Sequence, residues 1–154
     1  MTNASDLNES LWLKILRRYL AFVLLANLAW EFAHLPLYTI WATASRSELV
    51  FAVAHCTLGD IIIATIALVL SVLLLGDPRW PRAGYVRVAT LTTGAGVIYT
   101  IFSEWLNLVV RASWAYAPEM PVIPLLGIGL SPLLQWLVLP PLGLWIARRG
   151  APAY

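Results

Sequence analysis

Apolar residues run along the chain in four long stretches, at about residues 19–41, 49–75, 86–110 and 122–147. Each reaches the roughly 20-residue length a helix needs to cross a hydrocarbon core. Short polar segments bearing proline or other turn formers separate them: residues 42–48, 76–85 (GDPRWPRAGY) and 111–121 (RASWAYAPEMP). The pattern predicts an all-α integral membrane protein, a four-helix bundle with short loops. No repeat or polar domain interrupts it, so residues 1–154 are expected to form a single membrane domain.

Composition agrees with this reading. Hydrophobic residues make up 60% of the 154 and charged residues only 12%, with a mean hydropathy of +0.78, whereas a soluble domain carries about 25% charged residues. The polar first ten residues and Lys14, Arg17 and Arg18 precede an apolar stretch too long for a signal-peptide core, so a cleaved leader is not expected. Cys56 is the only cysteine, which excludes an intrachain disulfide.

Charge then orients the spans. Lys14, Arg17, Arg18, Arg79, Arg82, Arg87, Arg148 and Arg149 fall on one side of a four-span chain, and only Arg46 and Arg111 on the other. The positive-inside rule therefore predicts cytoplasmic termini in a plasma (inner) membrane. Trp12, Trp41, Trp80, Trp114 and Trp145 lie near span ends, as expected of an interfacial aromatic belt. The basic residues are a topology signal split over short segments, and no nucleic-acid partner is expected.

Against this background the polar residues inside the spans stand out. Glu31, His34, His55, Asp60 and Glu104 are ionisable, and Asn27, Asn107 and Gln135 accompany them. A charge at the centre of a spanning helix costs about 2.5–3.5 kcal/mol on insertion scales, so such groups must face one another or a wet cavity. Asn27, Glu31, His34 and Tyr38 follow a 4-3-4 spacing that keeps all four within about 60° of arc on a helix. Thr100, Glu104, Asn107 and Arg111 repeat that spacing, and Gly127, Ser131 and Gln135 recur at intervals of four. In the second span Cys56 and Asp60 share a face, with His55 on its flank. Given the predicted orientation, these groups gather in the outer, periplasm-facing half, while the inner half reads as aliphatic. Pro36 and Pro132 lie beside the stripes, and Trp30, Trp105 and Trp136 each adjoin a polar member. Indoles so placed either pack between helices or wall a cavity for an apolar ligand.

Several functions fit this set. The first is an enzyme acting on a lipophilic, isoprenoid- or lipid-like molecule by isomerisation, cyclisation or hydrolysis. Glu31, His34, His55, Asp60 and Glu104 would then supply the general acid and base, with Trp30, Tyr38, Trp105, Asn107, Ser131, Gln135 and Trp136 around the substrate. The second is a metal or haem protein, in which Glu31-x-x-His34, His55, Asp60 and Glu104 hold a divalent ion, or His34 and His55 clamp a haem. The third is transport or proton conduction, against which the aliphatic inner half argues. The fourth is a structural or assembly subunit whose polar groups join helix to helix. Lipid is the expected surrounding in each case, and oligomerisation stays open.

Overall fold

In the computed structural model, which describes residues 4–149, the chain is mostly helical. Its elements are α1 (Ala4–His34), a 3-10 turn (Leu35–Leu37), α2 (Ile40–Thr43), α3 (Arg46–Leu75), α4 (Tyr85–Trp105), a wider π turn (Leu106–Val110), the strands β1 (Val122–Ile123) and β2 (Ile128–Gly129), and α5 (Leu130–Arg149). Four segments are long and apolar enough to cross a membrane: Leu11–Leu37, Arg46–Leu75, Tyr85–Val110 and Leu130–Arg149. Their outward faces carry residues such as Phe51, Leu73, Ile98 and Val109, all highly exposed. Helices apolar on the outside as well as the inside suit lipid rather than water, and the chain is a multi-pass membrane protein.

Helix α1 packs on α3 and α5, and α4 packs on the same two, so each long helix has two neighbours. On α1 the core positions Leu11, Ile15, Tyr19 and Val23 recur every four residues and meet Ala64 and Leu68 of α3, Val88 of α4, and Trp136, Leu144 and Ala147 of α5. Close approach depends on glycine. A Cβ on Gly96 would lie 2.0 Å from the Trp136 ring, and one on Gly143 would lie 2.7 Å from Phe22.

Helix boundaries differ from the hydropathy pattern: α1 already begins at Ala4, ahead of residue 19, and two others shift for a local reason. The first helix stops at His34 rather than near residue 41, because Pro36 lies in the tight turn that follows and proline disfavours helical geometry in the residue before it. The fourth begins at Leu130 rather than 122, because residues 122–129 form a hairpin in which Val122 pairs with Gly129 and Ile123 with Ile128. Gly127, at φ 66°, makes the left-handed turn that closes it. Helix α3 starts at Arg46, three residues ahead of its apolar stretch, held by a capping box in which Ser45 and Glu48 satisfy each other's backbone N–H.

The two ends of the molecule are closed differently. At the hairpin end, the chain after α4 lies along the segment after α1. Thr39 N–H donates to the Ala115 carbonyl at 3.0 Å, Ala117 N–H to the Leu37 carbonyl at 2.9 Å, and Leu130 N–H to the Pro121 carbonyl at 2.7 Å. At the opposite, arginine-bearing end, the loop from Gly76 to Gly84 joins α3 to α4. Trp80, expected in the aromatic belt, is instead buried there, edge-on to Trp12 at 6.3 Å. Arg148 lies over the Tyr85 ring at 4.2 Å and Arg149 over Trp145 at 3.4 Å. The Arg79 guanidinium holds the Asp77 carboxyl below its usual range, a surface pair of little consequence for stability.

Candidate functional site

Helix α1 runs unbroken through Asn27, Glu31 and His34, so its 4-3-4 spacing survives folding and turns these side chains inward, where they are buried together with Tyr38. Facing them are Ser131 and Gln135, one turn apart at the start of α5, and Asp60 in the middle of α3. The Gln135 side-chain nitrogen lies 2.8 Å from Asn27 Oδ1, 2.9 Å from Asp60 Oδ2 and 3.2 Å from Glu31 Oε1. One amide group carries two hydrogens, yet three oxygens surround it. Asn27 donates its own amide N–H to the Val23 carbonyl at 2.7 Å, which fixes its oxygen toward Gln135.

From Glu31 the network continues to the outer side of the cluster. His34 Nε2 lies 3.1 Å from Glu31 Oε2, and His34 Nδ1 lies 3.1 Å from Ser131 Oγ. Trp30 donates its indole N–H to the same Ser131 oxygen at 3.3 Å. An indole N–H can only donate, and an ionised carboxylate can only accept. With His34 neutral and Glu31 ionised, these partners order the hydrogens. Trp30 N–H points to Ser131 Oγ, Ser131 O–H to His34 Nδ1, and His34 Nε2–H to Glu31. Glu31 and His34 are covered, while Trp30, Asp60 and Ser131 are only partly buried.

A second cluster adjoins the first. Glu104, near the end of α4, accepts the phenol hydrogen of Tyr116, and that phenol oxygen accepts the Gly129 backbone N–H at 2.8 Å. Burial, and then the Glu104 carboxyl, push the Tyr116 phenol well above its ordinary range, so it remains a donor. Tyr38 stands edge-on between the clusters, with ring centres 5.3 Å from His34 and 5.5 Å from Tyr116. At Gly129 a Cβ would lie 2.8 Å from Met120 Sδ and 3.1 Å from Tyr116 Cζ. The hairpin can seat the phenol only because that position is glycine.

Other candidates stand apart from this network. His55 is exposed and stacks on Phe51, with ring centres 5.7 Å apart. Trp105 is 49% exposed and lies beside Phe102 on the outer surface. Asn107 sits in the π turn and donates to its own helix, at the Ser103 carbonyl 2.9 Å away. A π turn has more residues per turn than an α-helix, so the phase that would have aligned Asn107 and Arg111 with Glu104 is lost there. Trp136 is buried in the packing against Gly96. Among the described residues, no three His, Cys, Asp or Glu side chains are placed to hold one metal ion. Both ring nitrogens of His34 have protein partners, and His55 is exposed.

Tyr116 and the Gly129 N–H were not visible as site components in the sequence. Both lie in the irregular chain between α4 and α5, where no periodicity marks a face. The one available signal was Tyr116 itself, an aromatic residue with a polar tip in a loop beside a buried acid. No protein-family model, curated protein or solved structure matches this chain.

Proposed function

We propose that this chain is an integral membrane enzyme that carries out acid–base chemistry on a lipophilic, isoprenoid- or lipid-like substrate. The observation that carries this reading is the continuous polar chain Asp60–Gln135–Glu31–His34–Ser131, which links three helices inside an otherwise apolar protein. Holding helices together needs far less, since single interhelical hydrogen bonds suffice for that. Here acids, an imidazole and a hydroxyl are in contact in series.

Hydrogen counting suggests what the series can do. Asp60 Oδ2 and Glu31 Oε1 share one nitrogen, so they are no farther apart than the sum of their 2.9 and 3.2 Å distances. Two ionised carboxylates that close in a low-dielectric interior repel strongly, and the Gln135 amide has too few hydrogens for all three acceptors. One proton held by the pair resolves both conflicts. The carboxyl with that proton is a general acid, and neutral His34 is a base beside it. Glu104, fixed by Tyr116, stands across Tyr38 from His34.

The excess of Lys and Arg beside the arginine-bearing end supports an orientation with both termini cytoplasmic, in the plasma (inner) membrane. The site then lies in the outer half of the bilayer, and the substrate enters from the outer leaflet or the periplasm. The test is conversion of native lipid. Protein is reconstituted in vesicles of total lipid from its source organism, and the lipids are compared by mass spectrometry. Wild type should convert at least one species, and Glu31→Gln, with unchanged accumulation and melting, should convert none. Identical lipid profiles for the two proteins would refute the proposal.

A further inference from the structure

We infer that Ser131 is a nucleophile and that the substrate is a carboxylic ester of a lipid, which the enzyme hydrolyses through an acyl-serine. This rests on the acid–base reading above and narrows it to one reaction class. Three observations carry it. First, a hydroxyl, an imidazole and a carboxylate stand in series, with both contacts at 3.1 Å. That is the arrangement by which a base activates a serine while a third group orients the base. Second, Trp30 donates to Ser131 Oγ, and a neutral His34 that gives its Nε2–H to an ionised Glu31 leaves Nδ1 to accept the serine's own hydrogen, the direction in which a base must remove it. Third, Ser131 and Trp30 are partly exposed whereas His34 and Glu31 are covered. The edge of the network that an entering substrate meets is therefore the hydroxyl.

The series places His34 Nδ1 toward the serine and Nε2 toward the acid, and the chemistry does not depend on which nitrogen does which. Ser131 Oγ attacks the ester carbonyl carbon as its proton passes to His34 Nδ1. The Oγ–C bond forms, and the carbonyl electron pair moves to oxygen. The Trp30 N–H, 3.3 Å from Ser131 Oγ, is placed to donate to that oxyanion. Collapse breaks the bond to the alcohol, which takes the proton from Nδ1 and leaves. Water then attacks the acyl-serine, gives its proton to Nδ1 and releases the fatty acid, and Ser131 recovers that proton. Glu31 is the positioning residue, holding the Nε2–H and balancing the imidazolium.

A serine-directed probe tests this without knowledge of the natural ester. Purified full-length protein in detergent is treated with a long-chain alkyl fluorophosphonate. In this reaction the Oγ–P bond forms as the P–F bond breaks and fluoride leaves. Intact mass should show a single adduct, and peptide fragmentation should place it on Ser131. Ser131→Ala should abolish the adduct, and His34→Gln should slow it at least ~100-fold, the usual worth of a general base. Glu31→Gln should slow it at unchanged melting temperature, and Glu31→Asp should restore part of the rate, which a purely structural role would not produce. An adduct on another residue, or a rate on Ser131 indifferent to His34→Gln, overturns the inference. If wild type resists the probe yet converts lipid in the vesicle assay, Ser131 is not the nucleophile and the acid–base reading stands. If it does neither, both fail.

Discussion

The two ends of this molecule both bury polar atoms, but only at one of them are such atoms joined into a chain. At the hairpin end, Asn27, Glu31, His34, Asp60, Ser131 and Gln135 hydrogen-bond to one another, and Tyr116 joins Glu104 to a backbone N–H. Toward the arginine-bearing end, the Tyr19, Ser71 and Thr92 hydroxyls and the Trp80 indole N–H are buried with no hydrogen-bond partner among the described residues, and near the site itself the Thr57 hydroxyl is in the same state. They sit singly, while Arg148 and Arg149 of that end lie over aromatic rings at its rim. Interior polarity by itself is therefore a poor sign of function in this chain. Connection between unlike groups separates the two regions: carboxyl to imidazole to hydroxyl at one end, isolated hydroxyls at the other.

Three substitutions put that contrast under strain, and melting of the purified protein reads all of them. Gln135→Leu removes the single donor shared by Asn27, Asp60 and Glu31. It should have the largest effect, about 3–5 kcal/mol as for other broken buried polar networks, with loss of accumulation in the membrane. A mild effect would mean that the cluster is not one unit. Tyr116→Phe leaves the Gly129 N–H and the Glu104 carboxyl without their partner and should cost about 1–3 kcal/mol. Thr92→Val deletes a hydroxyl with no partner among the described residues, and should be neutral or slightly stabilising, within about 1 kcal/mol. If Thr92→Val proved as damaging as Tyr116→Phe, the distinction between connected and isolated polarity would collapse.

How much of this was readable from sequence depended on whether the local helix stayed regular. On α1 the inward stripe of Asn27, Glu31, His34 and Tyr38 followed from spacing alone, because nothing interrupts the helix until Pro36. The pairing of Glu31 with His34 follows from the same i,i+3 spacing. On α4 the identical spacing misled beyond Trp105, where the π turn shifts the phase and leaves Asn107 bonded to its own helix. His55 and Trp105 are polar or amphipathic residues on predicted spans, yet their side chains are exposed, which hydropathy does not distinguish from inward placement. The start of α5 was obscured because the hairpin is as apolar as the helix after it, and only Pro121, Pro124 and Gly127 mark it off. Tyr116 could not be assigned at all, since loop contacts have no period to read. Which helices would bring Asp60 to Gln135 was likewise hidden, because that contact joins residues 75 positions apart.

The most direct test of the central claim is an infrared difference spectrum of the carboxyl groups at neutral pH. The account predicts a carboxylic acid C=O band in wild type, sensitive to deuterium exchange, that is lost in Asp60→Asn or Glu31→Gln and kept in Glu104→Gln. That pattern would show one proton held by the Asp60–Glu31 pair beside His34. A wild-type spectrum with carboxylate bands alone, or an acid band lost only in Glu104→Gln, would contradict it.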